Sequence, residues 1–332
     1  VSAQLLLPLT GRDPWLAASS RSHRSIAEIG DQTVAWAREV GLVTSEQGAE
    51  RLRRAGFEQL AARAFPETRL AKVALFAEWL VWLACFDDER DEGELLHGSV
   101  GDLDRVWDEL LAALGGDAEH PDTPARAIEV ALVDLWYPTS SGMGPVWRRR
   151  FVDHLELHRL GVRREAENRL SGRVPGLDEY PLLRRQTAGM FVWDLVEAIL
   201  EVEVPPELAS TVEWTNLRAA VSDVVAWCND VASLQRESAQ GDVHNYVVVA
   251  SEALGMERPE AVDWVLARIV ERLGDVHATA GALPGLFAAH RVPRATAAEV
   301  SNVACVFTSA PRAYIEWLLA SERYNPPETT AA

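Results

Sequence analysis

Apolar residues recur at spacings of three and four through most of this chain, and strand-like alternation between tight turns is scarce. That periodicity predicts an almost entirely helical protein. Thr44-Ser45-Glu46-Gln47 reads as a capping box that opens a helix to about Phe65, where Pro66 stops it. The next helix starts near Arg69 and carries the run Leu80-Val81-Trp82-Leu83-Ala84-Cys85-Phe86 into the acidic stretch CFDDERDEGE. Further helices are expected at about 101–114, 124–136, 145–170, 177–203, 207–239, 246–254, 259–280 and 296–321. The breaks between them fall on Gly115-Gly116, Pro138, residues 142–145, residues 172–176, Pro205-Pro206, residues 281–285 and Pro293. None of these is long enough to be an interdomain linker. The expectation is one domain over 1–332, with an ordered core at about 10–325 and a tail, 325–332, that lacks apolar anchors and is disordered.

A chain of 332 residues, 48% hydrophobic, can bury a large core, and its formal charge of −18 opposes binding to nucleic acid or to an anionic bilayer. Cys85, Cys228 and Cys305 have no CxxC spacing, so neither a disulfide framework nor a zinc site is expected, and a reducing cytoplasm fits best. No apolar segment reaches the roughly 20 residues of a membrane span, and VSAQLLLPLTGR lacks the basic start of a signal peptide. Twelve Trp against five Tyr and eight Phe is an unusual balance, for which a wide aromatic cavity is one use.

Two polar stretches follow apolar helical runs. In the first, Asp87 and Asp91 are an i, i+4 pair with Asp88 and Glu92 one position round. In the second, Asn229, Ser233 and Glu237 repeat every four residues, which places three oxygen-bearing side chains on one helix stripe over about 12 Å. Hard divalent cations favour such oxygens, and Mg²⁺ commonly completes its shell with water and substrate phosphate. Each stretch alone also reads as an ordinary solvated helix face.

Taken together they resemble the class I terpene synthases of bacteria. Asp87-Asp88-Glu89-Arg90-Asp91 is an instance of that family's DDxxD motif, and residues 229–237, NDVASLQRE, satisfy its [ND]D[LIV]x[ST]xxxE motif at every defined position, 142 residues on. Arg185 to Gly189 resembles the family's RxxxG-like element with a diphosphate-sensing Arg, and Arg323-Tyr324 its C-terminal Arg-Tyr pair. Arg185 lies 44 residues before Asn229, where relatives often show 46, and Arg184 is the neighbouring candidate. Gly189 four residues on favours Arg185, because an opening helix uses Gly well. The linker position then holds Ala188, which has no polar side chain.

The resemblance covers roughly residues 10–325. It implies a single helical bundle around a central apolar cavity and cyclisation of a linear isoprenyl diphosphate, farnesyl favoured over geranylgeranyl. Three Mg²⁺ ions are implied, with Asp87, Asp91 and Glu92 on one wall and Asn229, Ser233 and Glu237 on the other. Arg185, Arg236, Arg323 and Tyr324 would hold phosphate oxygens, with Gly189 at the helix break. Candidate aromatic walls are Trp79, Phe86, Phe191, Trp227, Phe307 and Trp317, with Trp82 and Trp193 as alternatives. The assembly is left open, a homodimer included. A chain-elongating transferase would carry a second DDxxD, a silent diphosphate-binding protein would have no need of intact metal motifs, and a di-iron bundle would need Glu-x-x-His pairs that Glu156-Leu157-His158 does not supply.

Overall fold

Helix is the only regular structure among the residues described by the computed structural model, which are 2–92, 100–115 and 126–325. After a 3-10 turn at Ser2–Leu6 come α1 (Leu7–Arg12), α2 (Pro14–Ala17), α3 (Ile26–Glu39), α4 (Glu46–Ala55), α5 (Phe57–Ala64), α6 (Leu70–Glu92), α7 (Val100–Gly115) and α8 (Ala127–Ser140). The second half comprises α9 (Pro145–Ser171), α10 (Tyr180–Thr187), α11 (Phe191–Leu200), α12 (Pro206–Ala209), α13 (Val212–Gln240), α14 (Tyr246–Leu254), α15 (Arg258–Ala289) and α16 (Arg294–Ala320). The expected all-helical class is what the chain adopts. The expected tail falls almost wholly on 326–332, outside the described residues.

Several boundaries differ from the periodic reading. The helix expected from Thr44 to Phe65 is two, because Gly56 adopts a left-handed conformation (φ 66°) that closes α4 and starts α5. The helix expected at 177–203 breaks around Gly189, φ 80°. Conversely, α15 runs through Gly281 and Pro284 to Ala289, and Pro138 sits inside α8. In both places burial of flanking residues, Leu283, Leu286 and Phe287 in α15 and Leu135 in α8, offsets the hydrogen bond that a proline removes. The helix α3 was not singled out in the periodic reading, although Ile29, Thr33, Val34, Trp36 and Ala37 form a buried stripe on it.

Two long helices organise the bundle. Helix α13 packs against α10, α14, α15, α16 and the N-terminal turn, and α6 against α3, α5, α8 and α11. Both are apolar on more than one face, the pattern of a helix inside a core. The two buried indoles of α6 find acceptors: Trp79 Nε1 donates to Thr139 Oγ1 (2.8 Å), and Trp82 Nε1 to the Ile128 carbonyl (2.9 Å). Trp79, Trp82, Phe86, Phe151 and Phe191 form a contiguous edge-to-face and stacked cluster on the α9 side of α6.

Helix α6 also buries a carboxyl. Burial, and secondarily Asp134, push Glu78 up to about 7. Between the unfolded value near 4.3 and about 7 the folded chain binds the extra proton, so this group makes stability fall as pH rises through that window. Glu78→Gln should therefore stabilise the protein by ~3 kcal/mol at pH 8 and by nothing at pH 4. Urea unfolding at both pH values checks this, and an equal effect at both contradicts it.

Candidate active site

On α13, Ser222, Val225, Ala226 and Asn229 stand at i, i+3, i+4 and i+7, and that face forms one wall of a central cavity. The facing stripe of α6 contributes Phe76, Leu80, Leu83, Ala84 and Asp87. Helices α5, α10, α11 and α16 close the remainder, with Phe57, Trp193, Tyr314 and Trp317 among the aromatic contributors. The apolar space opens into a polar mouth lined by Asp87, Asp88, Arg184, Asn229, Arg236, Glu237, Arg323 and Tyr324. The two acidic stretches singled out in the sequence therefore face each other across one opening.

The mouth is wired from α13. Asn229 Oδ1 accepts from Arg184 Nη2 (2.9 Å), and its Nδ2 donates to the hydroxyls of Tyr314 (3.1 Å) and Tyr324 (2.8 Å). Ser233 Oγ donates to the Asn229 carbonyl (2.8 Å), and Glu237 Oε2 accepts from Asn245 Nδ2 (2.9 Å). Burial first, then Asp230, push the Glu237 carboxyl up to about 7, against Asn245, Arg184 and Ser233, which pull it down. On the opposite wall Arg323 makes two bonds to Asp88 (2.6 and 3.0 Å). Burial works against that guanidinium, yet Asp88, Tyr324 and Asp87 outweigh it and hold its pKa above the ordinary value. The Arg236 guanidinium lies 6.0 Å from the Tyr324 ring centre. Asp91 and Glu92 end α6, but their side chains lie outside the described residues.

Beneath Asn229, Asp230 is buried and accepts from Arg184 Nε (2.8 Å), the Tyr180 hydroxyl (2.8 Å) and the Tyr246 amide (3.1 Å). Burial raises this carboxyl above its usual range, opposed by those three donors. Arg184 thus bridges the buried carboxylate and the first residue of the polar stripe.

The preference for Arg185 needs correcting. Arg185 turns away from the cavity and grips Asp223 with two bonds of 2.8 Å, where Arg272 of α15 also donates (2.9 Å). Adjacent residues on a helix point about 100° apart, so only one of the two arginines can face the mouth. It is Arg184, with Thr187 and Ala188 following it on the cavity wall. Gly189 does not line the cavity; its positive φ lets the chain turn between α10 and α11. Gly161 of α9 supports this break at close range, for a Cβ there would sit 2.7 Å from Gln186 Cβ.

The aromatic wall also differs. Of the six candidates only Trp317 lines the cavity. Trp79, Phe86 and Phe191 belong to the aromatic cluster on the other side of α6. Trp227 packs on Tyr246 of α14, and Phe307 between Trp193 and Trp214, leaving their neighbours Ala226 and Val306 on the wall. Trp193, held as an alternative, does line it, whereas Trp82 does not. The sequence reading missed Tyr314 altogether; its signal was the position ten residues before Tyr324 on the helix that also bears Trp317.

A family model described as terpene synthase family 2, C-terminal metal binding, matches residues 78–275 and so spans both acidic stretches and Arg184. This chain belongs to that terpene synthase family. The synthase is 29% identical over 330 residues to pristinol synthase of Streptomyces pristinaespiralis, covering 98% of this chain and 85% of that protein. It is 33% identical over 245 residues to (+)-T-muurolol synthase of Roseiflexus castenholzii, covering 72% and 73% respectively. Its fold matches the crystal structure of a-eudesmol synthase with a TM-score of 0.82 at 23% identity, over 92% of this chain and 97% of that one. The synthase is accordingly a lyase that cyclises an isoprenyl diphosphate, with a metal-binding region. No helix among its described residues is long and apolar enough to cross a membrane.

Removing one partner of a buried ion pair strands the other charge. Arg184→Leu should cost the synthase about 3–5 kcal/mol by exposing Asp230 to an unpaired burial. Adding Asp230→Asn should recover at least half of that loss in a denaturant-unfolding cycle; a double variant no better than Arg184→Leu alone contradicts the pairing.

Proposed function

We propose that the synthase takes farnesyl diphosphate, with geranylgeranyl diphosphate as the second choice, and cyclises it in a single helical domain using Mg²⁺, three ions per site. One observation carries this reading: the oxygen-rich stretches at the ends of α6 and α13 face each other over a polar mouth that leads into an apolar cavity. The farnesyl preference is supported by the T-muurolol relative, whose name specifies cyclisation of (2E,6E)-farnesyl diphosphate.

The donor set fits a hard divalent cation. Asn229, Ser233 and Glu237 present an amide oxygen, a hydroxyl and a carboxylate on one stripe, and Asp87 adds a carboxylate from the opposite wall, with Asp91 and Glu92 next along that helix end. Bound there, the ions would neutralise charge developing on the departing diphosphate. Arg184, Arg236, Arg323 and the Tyr324 hydroxyl then supply charge-assisted hydrogen bonds to its oxygens. Arg184 can turn one Nη towards phosphate while Nε stays on Asp230, which keeps the donor preorganised. Below the mouth, Phe57, Phe76, Trp193 and Trp317 exclude bulk water, and their ring faces stabilise the allylic cation left in the cavity.

Incubation of purified protein with geranyl, farnesyl or geranylgeranyl diphosphate, with and without Mg²⁺, should give a Mg²⁺-dependent cyclic product from farnesyl diphosphate by gas chromatography with mass detection. Asn229→Ala with Ser233→Ala should lower turnover by at least ~10²-fold. Unchanged turnover would remove the stripe from the metal assignment. Arg184→Lys should reduce kcat more strongly than Arg185→Lys, since only the first faces the mouth; the reverse order would return the sensing role to Arg185.

A further inference from the structure

Most of the polar residues on the cavity wall belong to its mouth. Asp87, Arg184, Thr187, Asn229, Arg323 and Tyr324 line both spaces, whereas Ser222 and Tyr314 line only the cavity. Tyr314 is engaged by the Asn229 amide. Ser222 is different: it is 1% exposed, and its Oγ has no hydrogen-bond partner among the described residues.

That is unusual for a hydroxyl inside a helix, which ordinarily donates to the carbonyl one turn back. Thr33 does so to Ile29 (2.8 Å), Thr139 to Leu135 (2.7 Å), Ser233 to Asn229 (2.8 Å) and Ser301 to Ala297 (2.7 Å). Ser222 forgoes this bond while sitting on the cavity-facing stripe of α13, next to Val225 and Ala226. A buried hydroxyl left without a partner costs stability, so its retention calls for a partner that arrives with the reaction.

We propose that Ser222 is a specificity-determining residue that holds one water in the cavity against the final carbocation, so that the synthase releases a terpene alcohol. The inference rests on the reading that this cavity receives the prenyl chain. Ser222 lies seven residues from Asn229 on a continuous helix, about 10 Å deeper than the mouth. The hydroxyl therefore forms on a carbon remote from the one that carried diphosphate. Ionisation breaks that carbon–oxygen bond, and the diphosphate leaves with the electron pair. The water oxygen then gives a lone pair to the cationic carbon, forming a new carbon–oxygen bond. The resulting oxonium gives up one proton, relayed by water to the diphosphate co-product at the mouth, and nothing is oxidised or reduced. Turned about its χ1 towards the cavity, Ser222 Oγ accepts one O–H of the water, which turns a lone pair of the water towards the cation.

The test uses the full chain, the Ser222→Ala and Ser222→Thr variants, Mg²⁺, and whichever of the three prenyl diphosphates the wild type turns over, in water enriched in oxygen-18. The wild type should release an alcohol carrying the label on a carbon other than the original C1. Ser222→Ala should raise the hydrocarbon-to-alcohol ratio at least tenfold, and Ser222→Thr, which keeps the hydroxyl, should restore the alcohol. The ratio within the products made is a readout that a general loss of folding would not move. A hydrocarbon as the sole wild-type product, an unlabelled alcohol, or an unchanged ratio in Ser222→Ala would overturn the inference while leaving the cyclase reading intact. No product from any prenyl diphosphate would overturn that reading, and this inference with it.

Discussion

The buried carboxylate of Asp230 is the constraint on which the site depends. It gathers the Tyr180 hydroxyl and Arg184 from α10 and the Tyr246 amide from the start of α14, while its backbone carbonyl accepts from Asn245 (2.6 Å). A carboxylate removed from water is tolerated only when such donors replace its hydration. Once Asp230 is pinned towards α10 and α14, the helical twist aims Asn229 at the cavity mouth and carries Ser233 and Glu237 along the same stripe. The site geometry thus follows from one desolvated charge and the 3.6-residue period.

A second carboxylate, Asp223, completes the placement. It lies two turns below Asp230 on α13 and binds Arg185 and Arg272, so neighbouring arginines of α10 take hold of α13 at two points while α15 joins from the other side. A short helix held twice cannot rotate about its axis without stranding one of the buried acids. This explains how eight residues of α10, ending at a glycine turn, keep Arg184 directed at the mouth.

The helical class and both oxygen-rich stretches were legible in the sequence because each depends on spacing along a single helix, and spacing is what a sequence records. The choice between Arg184 and Arg185 was not, since both have an acidic partner on α13 and the partners are seven residues apart, on the same face. The aromatic wall was illegible for a related reason. Core and cavity are both apolar, so Trp79, Phe86 and Phe191 carry no mark that sends them to the cluster behind α6 rather than to the cavity. Likewise Trp227 and Phe307 sit one position round from residues that do line it, and only the tertiary rotation of α13 and α16 decides which. The turn at Gly56 and the continuity of α15 past Gly281 show the same limit, because Gly ends a helix only where packing allows the left-handed turn.

The border between polar mouth and apolar cavity is drawn by Asn229 with Tyr314 and Tyr324, whose hydroxyls both accept from its amide. Burial holds the Tyr314 phenol well above its ordinary pKa, so it stays neutral while it accepts from Asn229 at that border. The most direct measurement is a crystal structure of the protein with Mn²⁺ and inorganic diphosphate, with the metal located by anomalous scattering. The account predicts Mn²⁺ held by Asn229, Ser233 and Glu237 and also against Asp87, with Arg184 donating to the diphosphate. Diphosphate bound through Arg185, or Mn²⁺ absent from the α13 stripe, would contradict it.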